Sequence, residues 1–206
     1  MPHLDLQSRS QHLLELARNL QHYEEALSAA RGESFNVFNI LSIGHREVRT
    51  HSPLIAELLN PQGSHGQGYA FLNHFLARHN LNPFDAESAR VSTEYYIGPQ
   101  TEEEGGRLDI LIRDSAGREI LIENKIHAGL QPNQLARYRN FSSRGTLLFL
   151  TLNGDAPEDT PSGNSLNLKC ISYRSDIVGW LQACRKEAAA APCVRETITQ
   201  YHNCPV

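Results

Sequence analysis

The chain has 206 residues, of which 40% are hydrophobic and 20% are charged, a composition typical of one well-packed soluble domain. Its 23 acidic and 19 basic side chains give a formal net charge of -4, so binding to nucleic acid would have to depend on a local basic surface or on metal ions. No segment is apolar over the roughly 18 residues of a membrane span, and the N-terminus does not resemble a signal peptide, so we expect a cytoplasmic protein.

The cysteines and histidines do not predict a disulfide framework or a zinc site. The four cysteines have no Cys-x-x-Cys spacing, and no His-Glu-x-x-His motif occurs. We therefore expect most of the ten histidines to lie on the surface or to cap helices.

The N-terminal part of the chain predicts helices. Apolar residues recur at steps of three and four from Leu4 to Arg31, which predicts an amphipathic helix ended by Gly32. This helix could cover the sheet or pair with a second copy of the chain in a homodimer. The segment 35–43 predicts a short second helix that stops before Gly44.

A third helix is marked by Ser52 as its N-cap and Pro53 as its first residue. Glu57 lies inside this otherwise apolar helix, where it either faces solvent or serves a site. The glycine-rich segment 61–68 lacks the ending of a phosphate-binding P-loop, and we predict a loop that borders the substrate cleft. A further helix is predicted over 69–79.

The middle of the chain predicts strands. Residues 90–97 alternate as in a strand, and Glu94 on it is either an additional acidic ligand or a solvent-facing residue. The segments 106–112 and 119–125 are rich in Ile and Leu, and the polar stretch 114–117 between them predicts a hairpin turn.

Three charged residues stand out on this hairpin. Side chains two apart on a strand share a face, so Glu123 and Lys125 project together while Asn124 points the other way. The hairpin can bring Asp109 opposite or diagonal to them. Two carboxylates and an ammonium in an apolar sheet predict a divalent cation site of the kind that Mg²⁺ prefers. Alone, however, this spacing also arises by chance in many proteins.

The segment after the hairpin predicts a helix from Pro132 to about Phe141. Gln134 and Tyr138 are four apart and share one face, with Arg137 on its flank. Tyr138 could equally be a packed core residue. The remaining predictions are a buried central strand over 146–152, a long loop over 153–167, a strand over 168–172, a helix over 175–190 and a last helix after residue 192.

The ordered motifs Gly-Arg-Leu-Asp109, Ile-Glu123-Asn-Lys125 and Gln134-x-x-x-Tyr138 resemble the PD-(D/E)XK nuclease superfamily. The segments 35–41 and 51–61 are similar to those preceding the core in one bacterial branch, so the resemblance covers roughly 35–201. It implies an α/β fold with a restriction-endonuclease-like core, in which helices flank a mixed central β-sheet, here with an N-terminal helical extension. The proline of the superfamily's name is absent because Leu108 precedes Asp109, as in many branches.

From its length we expect one domain over 1–206, with an N-terminal helix over 1–33 and a catalytic sheet core over 91–152. The resemblance also implies the roles of the site residues. Asp109 and Glu123 are expected to bind Mg²⁺ or Mn²⁺, Lys125 to activate water or stabilise the transition state, and Glu57 to complete a second metal position. The helix bearing Gln134 and Tyr138 is expected to contact the nucleic-acid backbone, with Arg137 touching a phosphate.

The expected function is metal-dependent hydrolysis of nucleic acid, with DNA as the preferred substrate, in antiphage defence or DNA processing. A nucleic-acid-binding or assembly module that keeps the fold without cleaving is the alternative, and an RNA substrate is a third reading.

Overall fold

The structure is a computed structural model that describes residues 3–32, 35–44, 47–81, 83–126, 129–157 and 168–204. It is an α/β fold with one five-stranded mixed sheet flanked by helices, which confirms the expected fold class. The strands are β1 (Arg90–Tyr96), β2 (Arg107–Arg113), β3 (Glu119–Lys125), β4 (Thr146–Thr151) and β5 (Leu168–Ser172). The α-helices are α1 (His3–Ala30), α2 (Val37–Ile40), α3 (Ser52–Leu59), α4 (Ala70–His79), α5 (Gln134–Phe141), α6 (Val178–Glu187) and α7 (Pro192–His202).

The strands lie in the sheet in their order along the chain. β1, β2 and β3 are antiparallel, whereas β3, β4 and β5 are parallel. β3 therefore joins an antiparallel half of the sheet to a parallel half. Parallel neighbours need a crossover connection, and α5 supplies it between β3 and β4.

Apolar residues cover both faces of the sheet. On one face, α3, α4, α6 and α7 pack against a large core that includes Ile110, Ile122 and Leu148. On the other face, α5 packs Leu135 and Tyr138 against a smaller cluster. The predicted central strand β4 is confirmed, because its residues 147–150 are buried and it pairs with a strand on each side.

The strand β2 changes face within two residues. Leu108 and Ile110 would share a face in a regular strand, yet they pack into clusters on opposite sides of the sheet. The register of β1 with β2 passes from Thr93–Ile110 to Tyr95–Leu108, and Glu94 between them has a left-handed backbone with φ 51°. The irregularity thus falls at Asp109, and simple alternation along β2 ends there.

The first helix forms as predicted but stands apart from the core. Its large apolar side chains, among them Leu13, Leu20 and Tyr23, are exposed. Within the part of the chain that the structure describes, α1 therefore does not cover the sheet. Pairing with a second copy stays a prediction.

One local prediction was wrong. Ser52 does not cap α3, because a π-helical turn (Glu47–His51) leads directly into the helix, and the Ser52 hydroxyl instead accepts a hydrogen bond from Asn124 Nδ2 at 3.0 Å. Among the histidines, His51, His65 and His79 are buried, and His51 is the N-cap residue of α3. In the predicted loop over 153–167, residues 158–167 lie outside the described residues.

Two other features concern the helices. The helix predicted over 175–190 is divided into a π-helical turn (Tyr173–Ile177), α6 and a 3₁₀ turn (Ala188–Ala190). No helix among the described residues is long and apolar enough to cross a membrane.

The left-handed backbone at Glu94 gives a stability prediction. This conformation is unfavourable for residues with a Cβ by about 1–2 kcal/mol. We expect Glu94→Gly to have a larger free energy of unfolding than Glu94→Ala, by about 1 kcal/mol, in urea denaturation. Both variants lose the ion pair of Glu94 with Arg107, so the comparison isolates the backbone. A more stable alanine variant would contradict the left-handed conformation.

Candidate active site

The structure brings Asp109, Glu123 and Lys125 together at the point where β2 and β3 separate. The register of these strands ends at the pair Ile110–Ile122. One residue further, Asp109 Oδ2 accepts a hydrogen bond from the backbone N–H of Asn124 at 2.7 Å. Lys125 Nζ lies 2.8 Å from Glu123 Oε1. The sequence predicted that these three charged side chains lie close together, and the distances agree with that prediction.

Glu123 occupies an unfavourable environment for a carboxylate. Its side chain is 1% exposed, and its Oε2 atom is buried without a hydrogen-bond partner. Burial, and secondly the negative charge of Asp109, raise the pKa of Glu123 to about 7, although Lys125 opposes this shift. Burying a polar atom without a partner costs free energy.

A divalent cation fits this arrangement. The cation would take Glu123 Oε2 as a ligand and so give this oxygen a partner. It would also offset the repulsion between Glu123 and Asp109. Carboxylate oxygens are the hard ligands that Mg²⁺ prefers, and Mg²⁺ commonly takes one or two of them and completes its shell with water and substrate phosphate. Asp109 and Glu123 are therefore the residues that could hold the ion.

The helix α5 holds Glu123 through Gln134. Gln134 Nε2 donates to Glu123 Oε1 and to the Tyr138 hydroxyl, both at 2.7 Å. Tyr138 in turn donates to the backbone oxygen of Arg107 at 2.6 Å. Burial, and secondly the charge of Glu123, raise the pKa of Tyr138, so the hydroxyl stays protonated. The predicted shared face of Gln134 and Tyr138 is therefore directed at the carboxylate.

Arg137 lies beside this face but is 2% exposed. Its guanidinium donates to the backbone oxygens of Pro132 at 2.6 Å and of Gly105 at 3.2 Å. A phosphate contact would have to compete with these bonds. In this structure Arg137 joins the start of α5 to the connection between β1 and β2.

Two further acidic candidates lie outside the carboxylate pair formed by Asp109 and Glu123. Glu57 Oε1 accepts hydrogen bonds from the backbone N–H of Ser64 and, at 2.7 Å, from its hydroxyl. Glu94 forms an ion pair with Arg107 at 3.3 Å. Over the described residues, no group of three or more His, Cys, Asp or Glu side chains is placed to hold a metal ion. Glu57 and Glu94 therefore do not complete a third carboxylate position here.

The glycine-rich loop contacts α3 rather than the carboxylate pair. Besides the Ser64 bonds to Glu57, His65 is buried and stacks on Phe71. Gly63 runs so close to α3 that a Cβ on it would lie 2.7 Å from the backbone oxygen of Glu57. This loop fixes the position of the Glu57 carboxylate.

Sequence reasoning missed the role of Asn124. Its Nδ2 donates to Ser52 Oγ and its Oδ1 accepts from the Tyr173 hydroxyl, both at 3.0 Å. His51 bonds the Tyr201 hydroxyl at 2.8 Å nearby, and its ring lies edge-on to Tyr173. An asparagine between two charged residues was the only signal in the sequence. Asn124 ties the end of β3 to α3 and the C-terminal elements.

Comparison with known families identifies the superfamily of the chain. A family model of the PD-(D/E)XK nuclease superfamily matches residues 35–203. The chain belongs to the PD-(D/E)XK nuclease superfamily. Membership gives a nuclease-type function on nucleic acid, generally with divalent metal ions. No curated protein and no solved structure matches the chain.

The like charges at Asp109 and Glu123 predict a pH-dependent effect in metal-free protein. Because the pKa of folded Glu123 is about 7 against an ordinary 4.5, the folded state keeps a proton that the unfolded state has lost, and stability falls as pH rises through 7. Asp109→Asn keeps an acceptor for Asn124 N–H and removes the repulsion. With EDTA present, we expect this variant to be stabilised on the order of 1 kcal/mol near pH 8, or about 2–4 °C in Tm, with little change near pH 5.

Differential scanning fluorimetry at both pH values checks this. An Asp109→Asn variant that is less stable than the wild type near pH 8 would contradict the repulsion. Added Mg²⁺ should raise the Tm of the wild type and not that of the variant.

The hydroxyl of Tyr138 gives a second prediction. Tyr138→Phe leaves the backbone oxygen of Arg107 without this donor and loosens Gln134, so we expect a loss of about 1–3 kcal/mol in the free energy of unfolding. Cleavage should fall by about 10- to 100-fold, because groups that orient a metal ligand have effects of this size. Tyr23→Phe, on exposed α1, is the matched control. Unchanged cleavage with reduced stability would assign Tyr138 to packing alone.

Proposed function

We propose that this chain is a metal-dependent nuclease that hydrolyses phosphodiester bonds of DNA. The observation that carries the proposal is the buried Glu123 carboxylate, with one oxygen lacking a partner, beside Asp109 and 2.8 Å from Lys125. Such a site is unfavourable for folding alone, and a bound cation would relieve it.

In this proposal Asp109 and Glu123 hold Mg²⁺ or Mn²⁺. A divalent ion there supplies Lewis-acid stabilisation of the charge that develops on the scissile phosphate. Lys125 either deprotonates or orients the attacking water, or neutralises charge on the phosphate, since its side chain is 18% exposed and within reach of both solvent and Glu123.

Gln134 and Tyr138 act as positioning residues. Gln134 fixes Glu123 Oε1 and Tyr138 fixes Gln134, while the second carboxylate oxygen has no hydrogen-bond partner and is the one that a cation would bind. A second metal position at Glu57 would require that carboxylate to exchange its two Ser64 donors for a cation.

We assign the activity to the cytoplasm, in antiphage defence or DNA processing. The role in defence or DNA processing is based on the family resemblance of the motifs. Homodimer formation through exposed α1 belongs to the same proposal.

Cleavage assays on single-stranded, double-stranded and circular DNA test the activity. We expect cleavage with Mg²⁺ or Mn²⁺, none with Ca²⁺ despite its binding, and loss of activity in excess EDTA. Lys125→Ala should lower the rate by about 10²- to 10⁴-fold and Asp109→Ala should abolish it, with both variants folded. Lys186→Ala, at an exposed lysine on α6, is the control and should match the wild type.

Two results would overturn the proposal. One is cleavage at the wild-type rate by a folded Asp109→Ala or Lys125→Ala protein. The other is binding of nucleic acid without cleavage under any divalent ion, which would favour a binding or assembly module of the same fold. Faster cleavage of RNA than of DNA would correct the substrate and keep the site.

A further inference from the structure

A cleft of about 400 Å³ opens beside the carboxylate pair. It lies between the connection from β1 to β2 and the start of α5, and its lining includes Tyr96, Gln100, Arg107, Gln131 and Gln134. We name it the Tyr96 cleft. Because Gln134 also donates to Glu123 Oε1 at 2.7 Å, a single side chain separates the cleft from the proposed metal site.

The charge of the Tyr96 cleft differs from that of the whole chain. The chain carries a net charge of -4, whereas the residues that line the cleft include Arg107 and Arg137 and no acidic side chain. Arg107 forms an ion pair with Glu94 at 3.3 Å and Arg137 is buried, so the cleft is not strongly basic. Its lining nevertheless places no carboxylate against an approaching phosphate.

The side chains of the cleft are suited to a nucleobase. Tyr96 is 63% exposed and lies next to Arg107 in the strand register, so an aromatic ring and a guanidinium adjoin on neighbouring strands. Gln100 Nε2 donates to Gln131 Oε1 at 3.1 Å, which places two amides at the cleft. Aromatic rings and guanidinium planes stack on bases, and amides bond to base edges.

The walls of the cleft are braced before any ligand binds. Hydrogen bonds from Ile97 N–H to Gly106 O at 3.1 Å and from Gly106 N–H to Gly98 O at 3.0 Å extend the β1–β2 hairpin. Gly105, at φ 78°, passes so close to the other arm that a Cβ would lie 1.9 Å from Pro99 O. Arg137 then joins this arm to α5. The cleft is therefore largely pre-formed, as small-ligand sites are.

We propose that the Tyr96 cleft binds one unpaired nucleobase next to the scissile phosphate, with Tyr96 as its stacking residue. In a continuous duplex the faces of the bases are covered by their neighbours, and a cleft of this size admits a single base and not a helix. The substrate class is thus single-stranded nucleic acid or a duplex with an unpaired nucleotide. This inference rests on the proposed function, because the scissile phosphate lies at Asp109 and Glu123.

Binding to an oligonucleotide that contains 2-aminopurine tests the cleft. The full chain carries Lys125→Ala to prevent cleavage, and Ca²⁺ is present. On single-stranded DNA, we expect Tyr96→Ala to weaken binding by about 5- to 150-fold and to reduce the quenching of 2-aminopurine, whereas Tyr96→Phe retains both. On a blunt duplex of the same length, Tyr96→Ala should change the affinity by less than about twofold.

Tyr23→Ala, which removes an equally exposed tyrosine from α1, is the matched control and should change neither readout. In the cleaving protein, Tyr96→Ala should raise KM for single strands with a smaller effect on kcat. Two results would overturn base binding in the cleft and leave the proposed nuclease intact. One is wild-type binding and quenching by the Tyr96→Ala protein, and the other is an equal loss of affinity on single strands and on blunt duplex. Absence of any metal-dependent binding or cleavage in the wild type would overturn both.

Discussion

The burial of Glu123 beside Asp109 is the constraint on which the site depends. A carboxylate with 1% exposure, one unpartnered oxygen and a like charge nearby destabilises the folded protein unless a cation is bound. Lys125 and Gln134 both bond the other oxygen, Oε1, and so leave the second oxygen as the unsatisfied group. In the proposed nuclease, a metal ion bound to these carboxylates would offset this unfavourable free energy.

The sheet is built so that this cluster can exist within an apolar core. β2 and β3 pair closely up to Ile110 and Ile122 and then separate, and β2 changes face at the same point. The Asp109 carboxylate accepts a backbone N–H from Asn124 there, so a side chain takes a position that a ladder bond would otherwise hold. The unfavourable backbone of Glu94 on β1 accompanies this change.

The two faces of β3 hold the site from opposite sides. On the α5 face, Gln134 and Tyr138 fix Glu123. On the other face, Asn124 bonds Ser52 of α3 and also Tyr173, which belongs to the large core. Positions of reacting groups matter within about 1 Å in catalysis, and bracing from both sides limits the movement of the strand end. The start of α5 also braces the Tyr96 cleft, because Arg137 donates a hydrogen bond to the backbone oxygen of Gly105.

The sequence by itself determined the elements and which candidate site residues share a face. The hairpin, the buried strand β4 and the shared faces of Glu123 with Lys125 and of Gln134 with Tyr138 follow from local periodicity, which depends only on residues close in the chain. The superfamily also followed from motifs in their order.

Only the tertiary structure decided which long-range partners each polar group has. The bond of Glu57 to Ser64, the burial of Arg137, and the bond from Asn124 to Ser52 across 72 positions have no local periodic signal. The face change of β2 at Asp109 likewise depends on its pairing with β1. Desolvation and hydrogen-bond partners are properties of the packed chain, and they set the charge state of Glu123.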